Sequence, residues 1–121
     1  MIYHITTRQA LESAQPEGWY RPPSLASEGF IHCSQRRQIL RVANAFYRDV
    51  PDLLILCIDE EAVESEVVFE DPIHPQGQPH MDATSGELFP HIYGPLNLTA
   101  VVATVPLLAT TDGFSLPADL P

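Results

Sequence analysis

Short apolar blocks, separated by turn residues, set the rhythm of the chain. Ile2 to Ile5 has the length and composition of a strand. Thr6 stands three residues before Gln9, the spacing of a capping box. Ala10, Leu11 and Ala14 then share one face, which predicts a helix that stops near Pro16. Pro16 to Pro23 (PEGWYRPP) reads as a loop carrying Trp19 and Tyr20. Ser24 to Glu28 predicts a single helical turn ended by Gly29, and Phe30 to His32 a short buried strand. Ser34 is a plausible cap for a helix over residues 35–47, where Ile39, Val42, Ala43 and Phe46 recur at steps of three and four.

Pro51 closes that helix. Leu53 to Ile58 (LLILCI) is a continuous apolar run of strand length, the pattern of a central strand covered on both faces. Val67 to Phe69 predicts another strand. Residues 72–86 hold three Pro, two Gly and two His, and read as a long loop, with His74 and His80 as candidates for a lid. Phe89 to Leu96 (FPHIYGPL) is tight and punctuated. Leu98 to Val105 predicts a strand stopped by Pro106. A turn at Asp112-Gly113, Phe114 and a Pro-rich tail complete the chain. The order of elements predicts an α+β fold, a mixed β-sheet with packed helices, in a single domain over residues 1–121. It lacks the regular alternation of a doubly wound fold.

Composition narrows the partners. With 121 residues and 45% apolar content, the chain can form a core without a metal or disulfide staple. Its formal net charge of -10 disfavours duplex nucleic acid and anionic membranes at long range. No apolar run reaches the ~20 residues of a membrane helix, and the strand-like start leaves no signal peptide, so the expected location is cytoplasmic. Cys33 and Cys57 lie in apolar surroundings without metal-like spacing and are expected to be reduced core residues. No Gly-rich phosphate loop occurs.

The chemistry therefore rests on histidine and arginine. His4, His32 and His91 each adjoin apolar residues. If they converge, they would form a metal site, an acid–base site or a polar recognition site; no H-x-H or H-E-x-x-H spacing favours the metal. Arg36 and Arg37 open the helix after Ser34, where unpaired amides attract anions. Arg21 is a further anion contact. Tyr20 and Tyr93 could line the same cleft, Ser34 would share the face of His32, and Glu87 or Glu70 could orient a histidine or stabilise a sugar cation. Each also has a purely structural reading: a hydrogen-bonded core histidine, an arginine paired to an acid, an aromatic covering the core.

The segments IYHIT, SLASEGFIHCS, ILRVANAFY, LLILCID and FPHIYGPL, in this order, resemble the bacterial family of unknown function numbered 952. The likeness spans roughly residues 2–117. It implies a fold resembling the ADP-ribosyltransferase and RNA 2'-phosphotransferase superfamily, in which a split, mixed sheet wraps an NAD-like ligand. His4 would then contact the nicotinamide ribose, and Tyr20 or Tyr47 would pack on the ring. His91 stands where such transferases often carry glutamate, with Glu87 as a substitute. The resemblance thus implies a transferase or hydrolase acting on NAD or an ADP-ribose-like nucleotide through His4, His32, His91 and Glu87, with Arg36, Arg37, Arg21, Tyr20, Tyr93 and Ser34 binding the ligand and NAD as substrate or ligand. The alternative is a non-catalytic nucleotide- or phosphate-binding module, or a protein-interaction domain.

Overall fold

The structure is a computed structural model, and it describes residues 1–71 and 87–121. The proposed lid histidines, His74 and His80, lie outside the described residues.

Strand β1 (Ile2–Thr7) leads into helix α1 (Arg8–Ala14). The cap is Thr7 rather than Thr6: its side chain accepts from the Ala10 amide, because the strand runs on through Thr6 before the chain turns. The expected loop at Pro16 to Pro23 contains a short strand, β2 (Trp19–Tyr20). Helix α2 (Pro23–Glu28) follows and ends at Gly29, whose φ of +90° suits a left-handed cap. Strand β3 (Ile31–His32) comes next. Ser34 does not cap the following helix. Gln35 does, trading hydrogen bonds with Gln38 around a 3-10 turn at Arg36–Gln38, and only then does helix α3 (Ile39–Phe46) begin.

Strand β4 (Leu53–Ile58) is buried along its whole length. Strands β5 (Glu66–Glu70), β6 (Phe89–Tyr93) and β7 (Leu96–Asn97) follow. The punctuated FPHIYGPL segment is thus two strands joined at Gly94. Leu98–Ala100 forms a 3-10 turn, so strand β8 spans Val101–Leu107 and carries Pro106 within it instead of stopping there. Proline is tolerated because β8 is an edge strand. A hairpin of β9 (Ala109–Thr110) and β10 (Gly113–Phe114) completes the described elements.

Two three-stranded sheets, ordered β1-β4-β8 and β3-β6-β5, form the frame, with β2 paired to β7 beside them. The sheet is split as expected, and each described ladder is antiparallel. An isolated bridge between Tyr3 and Ser34, with reciprocal amide bonds of 2.9 and 2.7 Å, seams the two sheets together. Strand β4 divides the core. Leu54, Leu56 and Ile58 face one apolar cluster with Ile31 and Ile92, while Leu53, Ile55 and Cys57 face another with Ile39 and Ala43 of α3. That double burial is why β4 reads as an unbroken apolar run. Both cysteines are free and buried.

Candidate functional site

Alternation along β3 and β6 sorts their side chains. Ile31 and Ile92 pair on the core face, so the partners one residue along, His32 and His91, pair on the opposite face. Their ring centroids are 5.5 Å apart. Phe30 binds the pair together, stacking on His91 at 4.2 Å and meeting His32 edge-on at 4.7 Å.

Each imidazole is backed by a carboxylate. His32 Nε2 lies 2.9 Å from Glu28, whose side chain comes from the last turn of α2. The left-handed Gly29 reverses the chain and makes this contact possible. His91 Nδ1 lies 2.6 Å from Glu70 on β5, and the Tyr93 hydroxyl donates to the same carboxylate oxygen. Burial pushes the Glu70 carboxyl up, but the bonds from Tyr93 and His91 and the charge of His91 outweigh it and hold the pKa below the usual range. Tyr93 is pushed up to about 12, by burial first and then by Glu70.

His4 plays a different part. Its Nδ1 is 2.6 Å from the His32 carbonyl and its Nε2 is 2.8 Å from the Tyr20 hydroxyl. A carbonyl can only accept, so Nδ1 carries a proton. Burial lowers the His4 pKa to about 4, against the raising effect of the His32 carbonyl, so the ring is neutral and Nε2 accepts from Tyr20. The Tyr20 oxygen, 2.9 Å from Thr6 Oγ1, then receives the Thr6 proton. Burial pushes Tyr20 up to about 12, which keeps it a donor. Both ring nitrogens of His4 are thus spent on holding the backbone of His32 and the side chain of Tyr20.

Two cavities meet at His32. The larger, about 510 Å³, is lined by His4, Tyr20, Trp19 and Arg21 together with the hydroxyls of Ser13 and Ser24. The smaller, about 330 Å³, is lined by Glu28, His91, Ser34, Phe46 and Phe89. His32, Ile5 and Tyr47 belong to both walls. No single cavity takes all three histidines: His4 lines the larger, His91 the smaller, and His32 stands in the wall of both.

The arginines largely do not. Arg36 donates to the backbone oxygens of Leu120 and Pro121, and Arg37 pairs with Glu87 at 3.2 Å. Neither lines either cavity. Their expected anion site also loses its footing, because the turn that carries them is 3-10 and capped by Gln35. Arg21 alone reaches the cleft, 3.6 Å from Glu17. Glu87 is drawn away from the histidines into a cluster with Arg41 at 2.6 Å, Gln38 at 3.0 Å and Arg37. Bonds from Arg41 and then Gln38 lower its pKa to about 2. Tyr93 contacts Glu70 outside the cleft wall. Cys33 lines the smaller cavity, but burial pushes its thiol far up, which denies it the thiolate form. Among the described residues, no group of three His, Cys, Asp or Glu side chains is placed to hold a metal ion.

Glu28 is a carboxylate that the sequence marks only as the end of a helical turn. Its four-residue spacing from His32 was a weak signal, since a glycine cap intervenes and no continuous helix joins them. Phe30 carried no polar atom to draw notice. Glu70 was among the orienting candidates and does orient His91.

Comparison with known proteins bears on the whole frame. The family model described as protein of unknown function (DUF952) matches residues 5–104. Crystal structures of CC0527 from Caulobacter crescentus, as the unmodified protein and as a double mutant, each align with a TM-score of 0.77 at 25% identity, over 93% of this chain and 90% of that one. The solution NMR structure of CC0527 aligns with a TM-score of 0.66 at 24% identity. No curated protein matches the chain. No described helix is long and apolar enough to cross a membrane.

Proposed function

Starting from a chain that belongs to the DUF952 family, we propose that its cleft binds an NAD-like nucleotide and cleaves the bond between the ribose and a cationic ring. The reading is carried by the junction at His32, where two cavities share a wall and a carboxylate stands 2.9 Å from the imidazole. A two-part cleft suits a two-part ligand. The larger hollow offers several hydroxyls and the Arg21 guanidinium, 3.6 Å from Glu17 of the same wall, groups that suit phosphate and sugar oxygens. The smaller offers Tyr47, Phe46 and Phe89 with the Glu28 carboxylate, and no arginine among its lining residues. Aromatic faces and a negative group favour a flat cation.

NAD joins these two chemistries in one molecule. Departure of nicotinamide leaves positive charge on the ribose, and a fixed carboxylate beside it stabilises that charge. Glu28 takes this role, with His32 held by it to bind a ribose hydroxyl. His4 acts as a positioning residue through the His32 carbonyl. The resemblance to the ADP-ribosyltransferase superfamily supports the same class of ligand, as analogy.

Thermal melting with NAD, ADP-ribose and inorganic phosphate, each at millimolar concentration, tests the proposal. NAD and ADP-ribose should raise the melting temperature by mass action, and phosphate alone should raise it less. Glu28→Gln should keep the shift with ADP-ribose while abolishing nicotinamide release. An unmoved melting temperature with both nucleotides would sink the reading.

A further inference from the structure

We infer that Trp19 is the platform on which the purine base of the nucleotide stacks, so that the larger cavity takes the adenine end of the ligand. The inference rests on the nucleotide reading above and assigns the end of the ligand opposite the ring that leaves.

The fold anchors Trp19 by its backbone and leaves its ring aside. Trp19 pairs with Asn97 across the β2–β7 ladder. Asn97 is 3% exposed, and its side-chain amide donates to the Ala62 carbonyl and accepts from the Glu64 amide, both at 2.9 Å. One residue before the indole, the Gly18 carbonyl accepts from the Leu98 amide at 2.9 Å. The base of the side chain is therefore held in place before any ligand arrives.

The indole is the chain's one tryptophan. It is partly buried and lines the larger cavity, yet it is packed against neither apolar core cluster. Its ring stacks on no described ring, and its Nε1–H donates to no described residue. The neighbouring aromatic shows the contrast. Tyr20 is 4% exposed, bonds to His4 and Thr6 through its hydroxyl, and meets the His4 ring edge-on at 5.2 Å. Of the two aromatics on β2, Tyr20 is used by the fold and Trp19 is left to the cavity. A large aromatic surface contributes strongly wherever it is covered, and here the cover is left for a ligand.

The wall around Trp19 suits a neutral, flat, bicyclic base. Arg21 and Glu17 line the same cavity as a pair 3.6 Å apart, so their charges offset each other. Pro22 and Pro23 add apolar surface. Their rings fix the backbone that leads into α2, so little freedom is lost when a ligand docks. A volume of about 510 Å³ lies within the range of small-molecule sites. Bases held by proteins commonly stack on aromatic side chains in this way, and the fused rings of a purine match the indole in size.

The single tryptophan reports its own contact. Its fluorescence in the whole chain, excited beyond the absorption of adenine, is titrated with ADP-ribose, AMP, nicotinamide mononucleotide and ribose 5-phosphate, beside thermal shifts with ADP-ribose. ADP-ribose and AMP should quench Trp19 to saturation, and ribose 5-phosphate should leave it unchanged. Trp19→Ala should weaken ADP-ribose binding roughly 10-fold or more, and Trp19→Phe, which keeps a smaller ring, should weaken it less. Should Trp19→Ala fail to fold, quenching in the wild-type chain still decides the matter. An ADP-ribose thermal shift with Trp19 unquenched, or equal ADP-ribose affinity in folded Trp19→Ala, would overturn the inference and leave the nucleotide reading intact. Quenching by nicotinamide mononucleotide and not by AMP would also overturn it, turning the ligand end for end. Absence of any ADP-ribose shift would defeat both.

Discussion

His32 and His91 face each other across one rung of the β3–β6 ladder, and the Phe30 ring holds both. The register that buries Ile31 against Ile92 sets this meeting. A slip of one residue would turn both imidazoles into the core. The cleft is therefore coupled to the packing of the sheet beneath it.

Phe30 is buried at 2% exposure and touches both rings, so its removal should be costly twice. Phe30→Ala is expected to destabilise the fold by about 3–5 kcal/mol through the cavity it leaves. Phe30→Leu should cost about 1–2 kcal/mol, yet still weaken the ADP-ribose thermal shift by releasing the imidazoles. Urea melts and ligand titrations of the two variants check this. Equal ligand shifts in Phe30→Leu and wild type would show that the stack has no part in binding.

His4 makes stability depend on pH. Its folded pKa, about 4, lies below its unfolded value of 6.5, so the unfolded chain binds more protons between those limits. The contribution is full above pH 6.5 and is lost as pH falls toward 4. The loss between pH 7 and 5 should be on the order of 2 kcal/mol. In His4→Gln the amide can still donate to the His32 carbonyl and accept from Tyr20, so this part of the pH dependence should vanish. Denaturant melts at pH 7 and 5 measure the difference.

Glu87 gives an acid-side dependence of the same direction but in a lower window. Its pKa is lowered from 4.5 to about 2 by Arg41 and Gln38. The clamp should therefore be at full strength above pH 4.5 and fail as pH falls toward 2. Glu87→Gln should lower the melting temperature at pH 7, flatten its fall between pH 4.5 and 2, and leave the ADP-ribose shift unchanged. A lost nucleotide shift would return Glu87 to the site.

Gly94 has a φ of +153°, and a Cβ placed there would stand 2.9 Å from Ser65 Cβ. Gly94→Ala should cost about 1–3 kcal/mol from overpacking and backbone strain. Gly94→Ala with Ser65→Gly in the same chain should recover part of that loss, because the steric contact is then removed and the backbone strain remains. Thermal melts of the single and double variants separate the two contributions.

Most of the frame was legible because β4 and α3 announce themselves by long, one-sided or continuous apolar patterns. The failures were short elements. Trp19–Tyr20 and Leu96–Asn97 are two-residue strands that exist only because they find each other, and no local pattern records a partner 76 or 78 positions away. The cap positions slipped by one residue at Thr7 and Gln35, where several capping side chains stand in a row. The three histidines were legible as a group because each sits beside apolar residues on a strand. Their carboxylates were harder to choose among sixteen acids, since the choice depends on the reversal at Gly29 and on the β5–β6 ladder. The arginines misled because sequence alone could not reveal that Glu87 and the chain's last residues would claim them.

Strand β8 lies at the border of its sheet, and Pro106 interrupts that border. A proline ring replaces a backbone hydrogen that an incoming chain would need for docking. The open flank of β1-β4-β8 thus carries a built-in stop against edge-to-edge association, and exchanging Pro106 for a residue with an amide would remove it.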